Sequence, residues 1–266
     1  MIRRAFVLPI VIFLALLVGI VAAMLLERQS AHALSVERQA RSYRDRHFEK
    51  GLREVLSAWT ESLTGQPIDQ LIGDDGHALD LATADGGWVE VYMFDGQSTA
   101  LNDPTGLTEQ EFEDAAGLLD ALVAIVGDQP DPSWFRTVGP VKICVNSAPE
   151  QLLEAAASYA TGGKAGRRFV RELMDAKAGK GVIEAPDLET AKNADRIGPE
   201  ERAILDRLIT LKPDLWAMVV DVYPPGGGSF PVARYGGRFM APGTGGRSTS
   251  MQALGKFLSW EPLPIQ

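Results

Sequence analysis

The side chains that could do chemistry in this chain are few, and most are carboxylates. Seventeen Asp and Glu lie between Arg53 and Arg136, a stretch without a single Lys or Arg. Hard divalent cations want clustered oxygen ligands. Two acidic runs are therefore candidates for calcium: Asp74, Asp75 and Asp80, and then Asn102, Asp103 and Glu109. Neither has EF-hand spacing, and a charge run is more often a solvated face. The single cysteine, Cys144, excludes an intramolecular disulfide framework and a multi-thiolate metal site. With Lys142 as its only basic neighbour in sequence it reads as an inert small side chain. His32, His47 and His77 read as surface residues. Gly243-Thr-Gly-Gly-Arg-Ser248 has the glycines of a phosphate loop but not its lysine, and there is no Gly-x-Ser-x-Gly elbow. The inventory predicts a protein that is not an enzyme and needs no organic cofactor.

The elements that must carry these residues divide by charge. Length, at 266 residues, suits one membrane anchor plus one or two modest domains. A hydrophobic content of 45% with 23% charged residues excludes wholesale disorder. Residues 1–53 hold nine basic and four acidic side chains, whereas the rest of the chain makes the formal net charge −9. That balance argues against nucleic-acid binding by bulk charge.

Phe6 to Leu26 is a run of 21 residues without a charge. As a helix it spans about 31 Å, the thickness of a bilayer core. Arg3 and Arg4 precede it and favour a cytoplasmic N-terminus. A cleaved secretory signal has a shorter apolar region. From Val11 to Gln66 there is no proline, so the helix is predicted to continue out of the membrane to a length of roughly 85 Å. Val36, Ala40, Tyr43, Leu52, Val55, Leu56, Trp59 and Leu63 recur at helical steps and give that continuation an apolar stripe.

The spacing assigns 1–5 to a basic leader, 6–26 to a transmembrane helix and 27–64 to an amphipathic stalk. Residues 65–103 hold turns and a first strand, Trp88 to Phe94, with His77 in a turn. Residues 104–214 are mostly helical. Thr108 and Glu111 form a capping box for a helix that ends at Gly127. Val141 to Val145 reads as a strand with Cys144 opposite its apolar neighbours. Helices follow from Pro149 to about Ala160, then over Arg167–Ala178, Asp187–Ala194 and Pro199–Leu211. Residues 215–240 form a sheet hairpin, with strands Leu215–Val222 and Phe230–Tyr235. Residues 241–266 form a tail in which Met251–Trp260 adds a strand or a short helix.

The short basic leader, the Phe-initiated apolar helix and its amphipathic continuation resemble a type IV pilin or pseudopilin. That resemblance implies cleavage by a prepilin peptidase between Ala5, where the family usually has Gly, and Phe6, followed by methylation of the new N-terminus. Ile10 stands at the fifth mature position, where pilins carry Glu. The minor pseudopilin K of type II secretion systems is similar in lacking it, and a subunit at a tip has no amine above it to neutralise. The Val141–Ala156, Glu172–Ala191 and Thr210–Val222 runs resemble, in order, that family's strand-to-helix, helix and return-strand motifs. Much of the family's helical insert is absent, so no residue here is assigned to its calcium sites.

The resemblance implies an α+β fold. A pilin-like N-terminal helix, transmembrane and then amphipathic, packs on an antiparallel sheet, with an inserted helical subdomain of the SAM-like or helix-hairpin-helix-like kind. It implies a single-pass inner-membrane protein with a periplasmic domain, at the tip of a secretion pseudopilus. Its partners are other pseudopilins, the inner-membrane secretion assembly and the prepilin peptidase. Asn146-Ser147-Ala148 and the Ile197–Ala203 run also resemble a helix-hairpin-helix of a membrane-tethered competence DNA receptor. There Glu200 and Glu201 stand where phosphate would approach, so nucleic acid is not the expected partner. An unrelated bitopic protein that binds a partner is the third reading.

Overall fold

The computed structural model describes residues 7–63, 68–103, 105–127, 130–194, 197–241 and 256–265. The chain divides into two compact units at Leu56/Ser57.

The first unit is the greater part of one helix, α1, which runs from Val7 to Ser62. At about 1.5 Å per residue its 56 residues span roughly 84 Å. Pro9 lies in the first turn, where a missing N–H breaks no helical bond. Every residue from Val11 to Phe48 is exposed. The expected stripe is therefore shorter than its periodicity: Val36, Ala40, Tyr43 and Val55 are exposed, while Leu52 and Leu56 are buried. A 3.6-residue period sets which face is apolar and says nothing about what covers it.

The second unit starts with the last turns of α1, where Thr60 is buried, and continues as an α+β domain. Strands β1 (His77–Ala82) and β2 (Trp88–Asp95) form a hairpin. The short β3 (Ala100–Leu101) leads to α2 (Glu109–Val126), and then β4 (Phe135–Arg136) and β5 (Ile143–Cys144). Four helices follow: α3 (Glu150–Thr161), α4 (Lys164–Lys180), α5 (Ala185–Ala194) and α6 (Pro199–Leu208). The chain ends with β6 (Ile209–Thr210), β7 (Leu215–Tyr223), β8 (Ala233–Met240) and β9 (Phe257–Pro262).

The main sheet is antiparallel, in the order β1-β2-β7-β8-β9. Strands β2 and β7 are neighbours, with Val91 opposite Val220, yet 119 residues separate Asp95 from Leu215. Everything between them is an insert at one end of the sheet. Along β2 burial alternates, with Val89, Val91 and Met93 inside, as period-2 patterning requires. The other face is half-exposed and polar. There Glu90 accepts from Trp88 Nε1 at 3.3 Å and Tyr92 Oη at 3.0 Å, and Arg234 grips Asp221 with two bonds of 2.5 and 2.6 Å.

The insert has its own apolar core, built on Leu118, Leu122, Leu152, Phe169, Leu173 and Leu205. Its helices approach closely where side chains are absent. A Cβ on Gly166 would lie 2.8 Å from the backbone of Ala157, fixing α4 against α3. Helix α2 starts at the expected capping box: Thr108 accepts from the Glu111 amide, and Glu111 accepts from the Thr108 amide at 2.9 Å.

Several boundaries differ from the sequence reading. His77 opens a strand rather than sitting in a turn, and β1 was not expected at all. The Val141–Val145 strand shrinks to two residues, and Cys144 is buried like Val141, Ile143 and Val145 instead of opposing them. Helix α6 stops at Leu208 because the chain turns into β6 there. Phe230 and Val232 belong to an exposed loop, and the return strand starts at Ala233 and runs to Met240. The strand or short helix expected over Met251–Trp260 is strand β9, the fifth of the sheet, at Phe257–Pro262.

Candidate functional site

The functional element that the sequence singles out is the first half of α1. Among the described residues α1 is the one helix long and apolar enough to cross a membrane. Phe13, Leu14, Leu16, Val18, Met24 and Leu26 are each more than half exposed. Fully burying one such side chain is worth about 1.5–3 kcal/mol relative to water. A row of them left bare on a 56-residue helix calls for a lipid or protein environment. Ile10 is the fourth residue of α1, while Ala5 and Phe6 lie outside the described residues.

The four candidate metal ligands do not converge. Asp75 Oδ1 accepts the His77 amide at 3.0 Å, and Asp80 Oδ1 lies 2.8 Å from His77 Nε2. That bond to Asp80, above all, holds the His77 imidazolium pKa above its usual value. Asp103 accepts from both the amide and the hydroxyl of Thr105, at 2.9 and 2.5 Å, and is held below the usual carboxylate range by them. Asp74 shares the turn with Asp75 without joining those bonds. Among the described residues no three His, Cys, Asp or Glu side chains come close enough to hold an ion.

Two polar clamps brace the insert, the first of them against the sheet, and neither shows in local sequence. The buried Gln97 donates through Nε2 to Lys142 O at 2.9 Å, and its Oε1 accepts from the amides of Asp214 and Leu215. Asn146 donates to Ile183 O and Leu211 O at 3.1 and 3.2 Å, and accepts from the Ile183 amide at 2.7 Å. Each clamp satisfies backbone groups more than 30 residues away, so no pattern within one element could have revealed it.

Beside these clamps lies a cavity of about 710 Å³, lined in part by Asp95, Cys144, Ser147, Ile183 and Trp216. Its polar groups are already paired with one another: Ser147 Oγ donates to Asp95 Oδ2 at 2.6 Å. Burial first, and the Asp95 charge second, push the Cys144 thiol up to about 12. It stays protonated at neutral pH, the opposite of what a nucleophile requires. A second buried group, Arg136, spends Nη2 on Pro140 O and Lys142 O. Burial brings its guanidinium down to about 9.

The hairpin between α5 and α6 is closed by its own side chains. Glu201 Oε2 accepts the Gly198 amide at 2.6 Å, and Arg202 turns back onto Ile197 O and Asn193 Oδ1. The N–H that a phosphate would need is thus held by a carboxylate.

No protein family matches the chain. No curated protein matches it. Among solved structures, the GspK-GspI-GspJ complex of the Type 2 Secretion System from enterotoxigenic Escherichia coli aligns with 85% of this chain and 99% of that one, with a TM-score of 0.43 and 8% identity.

Proposed function

We propose that this chain is a structural subunit of a secretion pseudopilus, a minor pseudopilin of the K type, whose work is assembly rather than catalysis. The observation that carries the reading is the continuity of α1, which starts as an apolar rod at Val7 and closes at Ser62 inside the α+β unit without a break. A tether needs no such rod. A subunit that must hold its domain at a fixed height above a bundle of like helices does.

In this reading the span anchors the chain once in the inner membrane, with Arg3 and Arg4 on the cytoplasmic side and the domain in the periplasm. Prepilin peptidase cuts between Ala5 and Phe6, and the new terminus is methylated. The apolar half of α1 then packs among the corresponding helices of other pseudopilins. Ile10, in place of an acid, suits a subunit with no neighbour above it, hence the tip.

The test is to express the full chain with a prepilin peptidase and pseudopilin subunits, then purify it from membranes. The expected result is a mature chain that starts at N-methylated Phe6 and co-purifies with the other subunits. An intact Met1 together with no pilin-like partner would overturn the reading.

A further inference from the structure

Helix α2 has two apolar faces, and only one is used. Asp114, Ala115, Leu118 and Leu122 face the insert core and are buried. Phe112, Ala116 and Val123 lie along a second stripe, stepping by four and seven residues over about 16 Å of helix, and Leu119 borders it while packing against the insert core. Phe112 is 51% exposed and Val123 40%, with Ala116 and Leu119 half-buried between them. Single exposed apolar residues are ordinary, but Phe112 and Val123 in helical register, with Ala116 between them, beside an already packed face are a surface that excludes water when covered.

Charge says what covers it. Helix α2 carries Glu109, Glu111, Glu113, Asp114 and Asp120, and no basic residue. Glu111 is spent on the cap, and Asp114 on Arg207 at 2.7 Å. Glu109, Glu113 and Asp120 border the second stripe, and among the described residues none of them forms a close ion pair, although Glu113 feels the charge of Arg207.

We infer that this face docks a basic amphipathic helix of a partner protein. The partner's apolar residues, spaced by three and four, lie on Phe112–Val123, and its Lys and Arg lie along Glu109, Glu113 and Asp120. A second copy of α2 would set carboxylates against carboxylates, and an anionic lipid surface would meet the same repulsion. A strand has nothing to pair with, since the backbone groups in a helix interior are already bonded. The docking does not depend on how the N-terminus is anchored.

The experiment uses the full chain in a non-ionic detergent and two fluorescent 15-residue peptides. Both carry Leu at i, i+4, i+7 and i+11; one is flanked by Lys and the other by Glu. Anisotropy, corrected for micelles alone, should show the Lys peptide binding at least about tenfold more tightly than the Glu peptide. Phe112→Ser with Val123→Ser should weaken the Lys peptide by about tenfold or more. Glu113→Lys with Asp120→Lys, at exposed positions that leave the core intact, should reverse the preference between peptides. Binding of the Lys peptide that ignores the apolar substitutions, or a preference that ignores the charge reversal, overturns the inference.

Discussion

The first half of α1 and helix α3 are built from much the same residues and sit in opposite surroundings. In α3, Leu152, Leu153, Ala155, Ala156 and Ala157 are all buried, with Glu150 and Gln151 outside. In α1, Leu14, Leu16, Leu17 and Val18 are about half exposed or more, and no charge lies between Phe6 and Leu26. An apolar stripe with a polar back is the mark of a helix that expects water on one side. An apolar surface all round is the mark of one that expects none. The difference shows that apolar content alone does not find the core of this protein; the distribution of charge around the helix does.

Substitutions in the two helices should therefore act on different measurements. Leu152→Ala should cost the α+β unit about 2–5 kcal/mol in denaturant unfolding and leave membrane retention unchanged. Leu16→Arg should do the reverse, costing about 2.5–3.5 kcal/mol of insertion and shifting the chain into the carbonate-soluble fraction with the domain's unfolding unaltered. If both substitutions moved both measurements, the contrast between the two helices would fail.

A smaller effect is expected between α2 and α6, where Arg207 pairs with the buried Asp114 through bonds of 2.7 and 3.0 Å. Arg207→Met leaves that carboxylate buried and uncompensated, for a loss of about 3 kcal/mol in chemical denaturation. The same substitution at Arg41, whose partner Glu37 is exposed on α1, should change stability by less than about 0.5 kcal/mol.

The effect confined to alkaline pH concerns Cys144. Its folded thiol titrates at about 12 against an ordinary 9.0, so the unfolded state loses its proton first. Unfolding is then favoured as pH rises, and stability should fall between pH 9 and 12 at up to about 1.4 kcal/mol per pH unit. Cys144→Ala should flatten that part of the pH profile. In the native protein at pH 8, iodoacetamide should modify Cys144 only as fast as the domain opens.

Much of this fold could be read from local pattern. Runs of β-branched and aromatic residues located β2 and β7, and Thr108, Glu111 and Gly127 bounded α2 within a residue or two. Strand β1 escaped because His77-Ala-Leu-Asp-Leu-Ala82 has no β-branched residue and half-exposed leucines. Strand β8 runs past the expected Phe230–Tyr235 through Gly236 and Gly237 to Met240. In the fold they are places where Leu263 and the Phe257 ring lie over the strand, 3.0 and 2.6 Å from where a Cβ would stand. The clamps at Gln97 and Asn146 were invisible because their partners lie up to 118 residues away. The acidic runs illustrate the converse: Asp75, Asp80 and Asp103 looked like ligands in sequence, and each is occupied by a neighbour two or three residues distant.

The continuity of α1 beyond the apolar segment is the claim on which the functional reading stands. Spin labels at Ser30→Cys and Glu54→Cys, in a Cys144→Ala background in lipid nanodiscs, measure it by pulsed dipolar spectroscopy. A rigid helix places the two backbone positions about 36 Å apart and gives a single narrow distance distribution. A broad distribution, or one centred well short of that length, would show a hinge in the rod and contradict the account.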